Sequence, residues 1–374
     1  MKSFDSAHKS IASVLGVAVT AGLVAGLVAN PAAAQPGAPA STQSSPPQFA
    51  SEEDWRAFMT RTPAPEKGCY EATYPHPAWQ RVPCTSAPQR PYPPVHGTRP
   101  ITEVGNGNDY SAGAPSPHLI SEAVGSFYKV TGVKSEKNEC TNTDFPSCSS
   151  CGVTGNGFFS LQLNTNLFKT SVCSNESCRG WQQFVFANGG TNNTYVFIQY
   201  WLINYDQSCP SGWASYSPDC YRNSDLAAFP PTQSIVNLGK LTLTGQTSKG
   251  AKDTITFQGT SGGQTKLYTI TGLDSILNAS EGWTSAEFNI VGNGCGSTAT
   301  FNHGSTVTVK TRIVDGVKSA PLCVDQGTTG ETNNLTFVET TTAAPAGSSP
   351  EIVFTESNAG GSQNGKVCHP IAQK

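Results

Sequence analysis

Three short segments of this chain set amides, indole rings and one carboxylate at every second residue. In Trp181–Phe186 (WQQFVF), Trp181 and Gln183 alternate with Gln182, Phe184 and Phe186. In Tyr195–Tyr205 (YVFIQYWLINY), Tyr195, Phe197, Gln199, Trp201 and Ile203 alternate with Val196, Ile198, Tyr200 and Leu202. In Gly282–Ile290 (GWTSAEFNI), Trp283, Ser285, Glu287 and Asn289 alternate with Ala286, Phe288 and Ile290. Successive side chains of a strand point to opposite faces. Each segment therefore buries one mostly apolar face and presents Trp with Gln, or Trp with Glu and Asn, on the other. A carboxylate desolvated by neighbouring rings is suited to proton transfer under mildly acidic conditions. Glutamine amides donate N–H groups to an oxyanion without titrating. Glu287 and Gln183 are thus the candidate catalytic pair, with Trp181, Gln199, Trp201, Trp283 and Asn289 lining a substrate cleft. The competing reading is a solvated outer face held by ordinary cross-strand pairs.

The elements that must carry these residues are strands. Alternating or β-branched runs occur at 127–130, 158–164, 182–186, 195–205, 239–244, 253–257, 266–271, 286–291, 305–313, 334–339 and 351–355. Turn clusters such as Asn156-Gly157, Ser261-Gly262-Gly263 and Asp315-Gly316 punctuate them. No convincing helical period follows Ile101, and Leu273–Leu277 is the best helical turn. So many strands within roughly 250 residues imply one antiparallel two-sheet sandwich rather than two domains.

Several tempting motifs fail on context. Gly259-Thr260-Ser261-Gly262-Gly263 has nucleophile-elbow spacing, but it joins two strand-like runs where a strand–turn–helix is required. Gly105-Asn106-Gly107-Asn108 has no helix behind it to make a phosphate cradle. Cys148-Ser149-Ser150-Cys151 lacks a second metal half-site and a surrounding βαβ pattern, which favours structural disulfides. The six histidines are scattered, with no pair at i, i+4, so the helical zinc-protease motif is absent. Neither metal nor organic cofactor is expected. Charged residues make up 13% of the chain, the net charge is −3, and no Lys/Arg cluster exists, which argues against a nucleic-acid partner.

Residues 1–34 read as a secretory signal: Lys2, His8 and Lys9 precede the apolar run 11–28, and Ala32-Ala33-Ala34 offers a cleavage site. No later segment is apolar enough to span a bilayer, so the expected product is secreted, extracellular, free of the membrane after cleavage, and monomeric. Twelve cysteines in an exported chain imply six disulfides. Local pairs are expected at Cys69/Cys84, Cys173/Cys178 and Cys209/Cys220, with Cys323 and Cys368 tying down the tail. Residues 35–66 are rich in Pro, Ala, Ser and Gln and read as a disordered spacer, in which Ser51 before Glu52 and Glu53 starts a short helix. Residues 67–100 form a Pro-rich strap or pro-segment that needs a Cys69–Cys84 bridge. The sandwich domain is 101–374.

The run Ala286-Glu287-Phe288-Asn289-Ile290-Val291 resembles the Ala-Glu-Trp-Ile-Val motif that carries the catalytic glutamate of eqolisin-type glutamic peptidases. The order of elements is similar too: a Gln strand, an aromatic strand, a Gly/Thr strand pair (241–271), the Glu strand, then Thr298–Val309. The resemblance spans Trp181–Ile313. By parity Gln183, beside Trp181, matches the family's catalytic Gln. The family's Gly-Val after that Gln is Phe184-Val185 here, and its Trp after the Glu is Phe288. The whole chain also resembles bacterial secreted proteins sharing a GCY…YP…W…C opening and Gly330-Glu331-Thr332-Asn333-Asn334, a likeness that supplies no chemistry.

The resemblance implies an all-β, disulfide-bonded, antiparallel lectin-like (concanavalin-like) β-sandwich and an acid-acting endopeptidase. Glu287 would serve as general base and then acid, and Gln183 would stabilise the oxyanion. The substrate is then an extracellular protein. The alternative is a non-catalytic polysaccharide- or polymer-binding module, since aromatic rings stack on sugars and amides bind hydroxyls. A third reading is a structural surface protein with no small-molecule site.

Overall fold

Alternation in the sequence resolves into two large antiparallel sheets packed face to face. The computed structural model describes residues 47–95, 109–191, 193–325, 327–343 and 350–360. The expected signal segment 1–34, the start of the spacer and Cys368 lie outside the described residues. One sheet has nine strands in the order Gln80–Val82, Cys69–Thr73, Gln264–Thr271, Thr254–Ser261, Thr242–Gln246, Glu122–Thr131, Thr306–Val314, Glu351–Ser357 and Thr336–Ala343. The other has eight: Ala214–Tyr216, Asp219–Asn223, Thr194–Ile203, Arg179–Gly189, Phe158–Thr165, Ser285–Val291, Tyr110–Gly113 and Leu322–Asp325. A four-stranded sheet of Thr332–Asn333, Thr298–Phe301, Glu136–Glu139 and Gly155–Asn156 abuts the end of the Ser285–Val291 strand, where Gly292 N donates to Thr332 O at 3.0 Å.

The parity read from the sequence decides which residues fill the layer between the sheets. Phe184, Phe186, Ile198, Tyr200, Leu202, Phe288 and Ile290 face Leu243, Phe257, Ile270, Val307 and Val309 in one apolar cluster. Phe186 and Phe257 stack with ring centroids 3.8 Å apart. Burying each such ring stabilises the fold by roughly 2–3 kcal/mol. The elbow-like glycines close a hairpin: Gly262 and Gly263, both at positive φ (58° and 79°), link two paired strands, as a two-residue turn requires.

The N-terminal segment forms the short helix expected to start at Ser51. The spacer expected over 35–66 carries a ten-residue helix, Glu52–Arg61, with Ser51 Oγ accepting from Asp54 N. Trp55 and Met59, four residues apart, form an apolar stripe that packs on Ala72 and Leu267. The segment beginning at Lys67, expected as a strap or pro-segment, contributes a strand to the main body: Cys69–Thr73 pairs with Gln264–Thr271 in the nine-stranded sheet.

The three expected local disulfides are present, Cys69–Cys84, Cys173–Cys178 and Cys209–Cys220. Cys148 and Cys151 do not pair with each other but form Cys140–Cys148 and Cys151–Cys295. Cys323 is also disulfide-bonded. The Cys151–Cys295 bridge spans 144 residues, and closing a loop of that length removes roughly 5 kcal/mol of unfolded-state entropy. The Cys151→Ser/Cys295→Ser double variant should therefore lose about 3–5 kcal/mol in urea unfolding monitored by far-UV circular dichroism. A loss below about 1 kcal/mol would show that the unfolded chain is already constrained there.

Candidate functional site

Strand register lines up five polar side chains across five neighbouring strands. Asn223 pairs with Gln199, Gln199 with Gln183, Gln183 with Asn164, and Asn164 with Glu287. Cross-strand partners point the same way, so the row occupies the face of the eight-stranded sheet turned away from the inter-sheet core. Strand spacing puts the Cα atoms of Gln183 and Glu287 roughly 10 Å apart, with Asn164 between them.

Trp201 sets the orientation of the row. Its Nε1–H is shared between Gln183 Oε1 and Gln199 Oε1, both at 2.9 Å. An indole nitrogen only donates, so both carbonyl oxygens turn toward it and both amide nitrogens turn away. Gln183 Nε2 then points along the sheet and donates to Gln162 Oε1 at 3.0 Å. Gln199 Nε2 points the other way, to Arg90 O and Asn223 Oδ1.

Glu287 is 2% exposed and held by a dense set of donors. Its Oε2 accepts from Thr328 N and Thr328 Oγ1, each at 2.8 Å, and from Asn164 Nδ2 at 3.3 Å. The Asp109 carboxyl lies beside that of Glu287, and burial, followed by the Glu287 charge, pushes it well above the usual carboxylate range. Asn289 Nδ2 donates to Asp109 Oδ1 and to Glu356 Oε2. Gly327 passes so close that a Cβ there would stand 2.3 Å from Glu287 Oε1 and 3.0 Å from Asp109 Cβ. No side chain fits between that loop and the acid pair.

A second carboxyl lies beside the row. Glu331 Oε2 accepts from Gln162 Nε2 and contacts Thr329 Oγ1. The Thr329 hydroxyl also meets Gln162 Oε1 at 2.7 Å. One hydroxyl hydrogen serves both contacts when Glu331 carries a proton of its own. Burial lifts Glu331 to about 7 and Glu356 to about 8.

The face is closed, which corrects the expectation of an open aromatic cleft. Residues Pro88–Val95 run across it. Tyr92 N donates to Gln199 Oε1 at 2.8 Å, and Asn223 Nδ2 donates to Pro88 O at 2.7 Å. Cys295 N donates to Pro91 O and Gly330 N to Pro93 O, while Val95 N donates to Thr328 O. The Tyr92 ring is wholly buried among Val185, Ala187, Phe197 and Ala227, and its hydroxyl donates to Asn293 Oδ1 at 2.8 Å. Gln183, Gln199, Trp181 and Trp201 are all at 0% exposure beneath this cover and the neighbouring loops.

The candidate residues therefore divide. The fold brings Glu287, Gln183, Gln199 and Trp201 onto one face, with Asn289 one row further along. Trp181 shares that face, but its ring packs on Trp201 and its Nε1 donates to Thr165 O. Trp283 lies elsewhere: it precedes the strand, which starts at Ser285, so its parity does not carry over. Its ring sits in the inter-sheet core 5.7 Å from Phe184. Sequence reasoning overlooked Asn164, Gln162, Asp109, Thr328 and Glu331. The alternation Gln162/Asn164 against Leu161/Leu163 was available as a signal; the position of Asp109 was not. Among the described residues no group of three or more His, Cys, Asp or Glu side chains is arranged to hold a metal ion. Cavities of about 980, 390 and 330 Å³ are lined by none of the row residues.

No protein-family model and no curated protein sequence matches the chain. Among solved structures it is similar to the crystal structure of scytalido-glutamic peptidase with a transition state analog inhibitor. That match has a TM-score of 0.29 and 10% sequence identity, over 68% of this chain and 98% of that chain. The resemblance to eqolisin-type glutamic peptidases is remote.

Proposed function

We propose that the protein is a secreted, acid-acting endopeptidase of the glutamic type. The observation that supports the reading is the shared row: Glu287, beside Asp109, stands on the same cross-strand line as Gln183, whose carbonyl oxygen Trp201 holds and whose amide nitrogen donates to Gln162 on the strand between them. In the proposed cycle Glu287 takes a proton from water as that water attacks the peptide carbonyl, and later returns it to the leaving amine. Gln183 Nε2 stabilises the oxyanion, and Asn164 and Thr328 hold the Glu287 carboxylate in place. Asp109, keeping its own proton, lets two carboxyl groups share the site at mildly acidic pH. The polysaccharide-binding alternative would use the rings of Trp181 and Trp201, which are buried beneath the same cover as Gln183 and Glu287.

Release of peptides from denatured protein between about pH 3 and 7 tests the reading. Hydrolysis should be greatest on the acid side and insensitive to chelators. A chain that cleaves no peptide bond in this range, even with its strap opened as described below, would end it.

A further inference from the structure

We propose that Pro88–Val95 is a tethered pseudosubstrate, and that the pocket filled by Tyr92 is where this groove takes an aromatic side chain of an extended peptide. Its autoinhibitory consequence rests on the peptidase reading above; the pocket itself does not.

The contacts are those of a groove reading a peptide main chain. A single buried amide, Gln199, accepts from Tyr92 N and donates to Arg90 O, two main-chain groups spaced as in an extended segment. Farther along, Pro94 forms an antiparallel bridge with Thr329. The carbonyls of Pro91 and Pro93 are met by Cys295 N and Gly330 N. Main-chain contacts of this kind bind backbone regardless of sequence and leave specificity to side-chain pockets. The bridge lands on the loop whose Thr328 holds Glu287, so the strap's main chain arrives beside the acid pair.

The strap's own sequence suits a tethered occupant better than a structural strand. It belongs to none of the three sheets. Prolines 88, 91, 93 and 94 fix φ and remove the N–H groups a ladder would use. They also make Tyr92–Pro93 and Pro93–Pro94 tertiary amides, which offer no N–H for a groove acceptor to orient. Tyr92 supplies the large, wholly buried side chain of the strap. Its pocket is apolar along the walls and ends in Asn293 Oδ1, a combination that favours tyrosine over phenylalanine.

The test uses the full chain and a fluorescein-labelled octapeptide of sequence PQRPYPPV. Tyr92→Ala removes the anchor, and Glu287→Gln in the same chain removes hydrolysis, so binding is read without cleavage. Fluorescence anisotropy should show the peptide binding the double variant at least ~10-fold more tightly than it binds the unsubstituted chain, whose groove is filled. The same peptide with Ala in place of Tyr should bind at least ~10-fold more weakly. Separately, Tyr92→Ala alone should hydrolyse denatured protein at least ~10-fold faster than the unsubstituted chain, and the free peptide should inhibit it. Should Tyr92→Ala fail to fold, Arg90→Ala, which removes only the bond to Asn293 O, replaces it with smaller expected changes. Peptide binding without hydrolysis by either chain would keep the pocket and sink the peptidase reading. Equal hydrolysis by both chains with no peptide binding to the folded variant would overturn the strap proposal and leave the peptidase reading standing.

Discussion

Raising the pH from about 5 to about 8 is expected to weaken the fold by several kcal/mol, because buried carboxyl groups hold their protons more tightly in the folded than in the unfolded chain. Burial lifts Glu331 to about 7, Glu356 to about 8 and Glu136 to about 9, and it raises Asp109 as well. A group with a raised folded pKa contributes stability that is complete below its unfolded pKa, near 4.5 for glutamate. That stability is lost as pH climbs through the folded value. For Glu331 alone the difference is on the order of 3 kcal/mol. Urea midpoints at pH 5 and pH 8 measure it. Glu331→Gln and Glu356→Gln should each flatten the dependence, and a midpoint equal or higher at pH 8 would show that these carboxyls ionise without cost. The expected direction matches a protein built to work in acid.

Glu287→Gln should reduce peptide hydrolysis by at least ~10²-fold relative to the same chain with Glu287, since shape is kept and proton transfer is lost. The glutamine oxygen can still accept from Thr328 N, and its amide can donate to Asp109, so the unfolding free energy measured in urea should change by less than about 1 kcal/mol. Gln183→Ala should cost on the order of 10²–10³ in turnover by removing one oxyanion donor. It also leaves Trp201 Nε1 with only Gln199 Oε1 as acceptor. Stopped assays on denatured protein near pH 4 read both effects. Glu287→Gln activity within a few-fold of the parent would remove Glu287 from the chemistry.

Much of the framework was legible because period-two alternation is a local signal. The runs at 158–164, 182–186, 195–205 and 286–291 all became strands of one sheet, with their apolar parity facing the core. Parity also separated Gln183 from Gln182, whose Nε2 donates to Asp253 Oδ2 on the inter-sheet side. The failures share a physical cause. Trp283 was assigned by extending an alternation past the end of its strand, where the backbone is no longer pleated. Asp109 and the 327–331 loop reach Glu287 through long-range packing, and nothing within their own neighbourhoods marks that meeting. The strap was recognised as a segment, but which face it covers depends on Gln199, more than a hundred residues away.

Strand order has a kinetic consequence. The Glu122–Thr131 strand is bonded on one side to Thr242–Gln246 and on the other to Thr306–Val314, and the latter in turn to Glu351–Ser357. The middle of the nine-stranded sheet therefore cannot close until residues beyond 306 have emerged from the ribosome, and the edge that follows it not until residues beyond 350. Pairings so distant in sequence are slow to form, and their free edges invite association in the meantime. A nascent chain of this order lacks the centre of its larger sheet until most of its length is available.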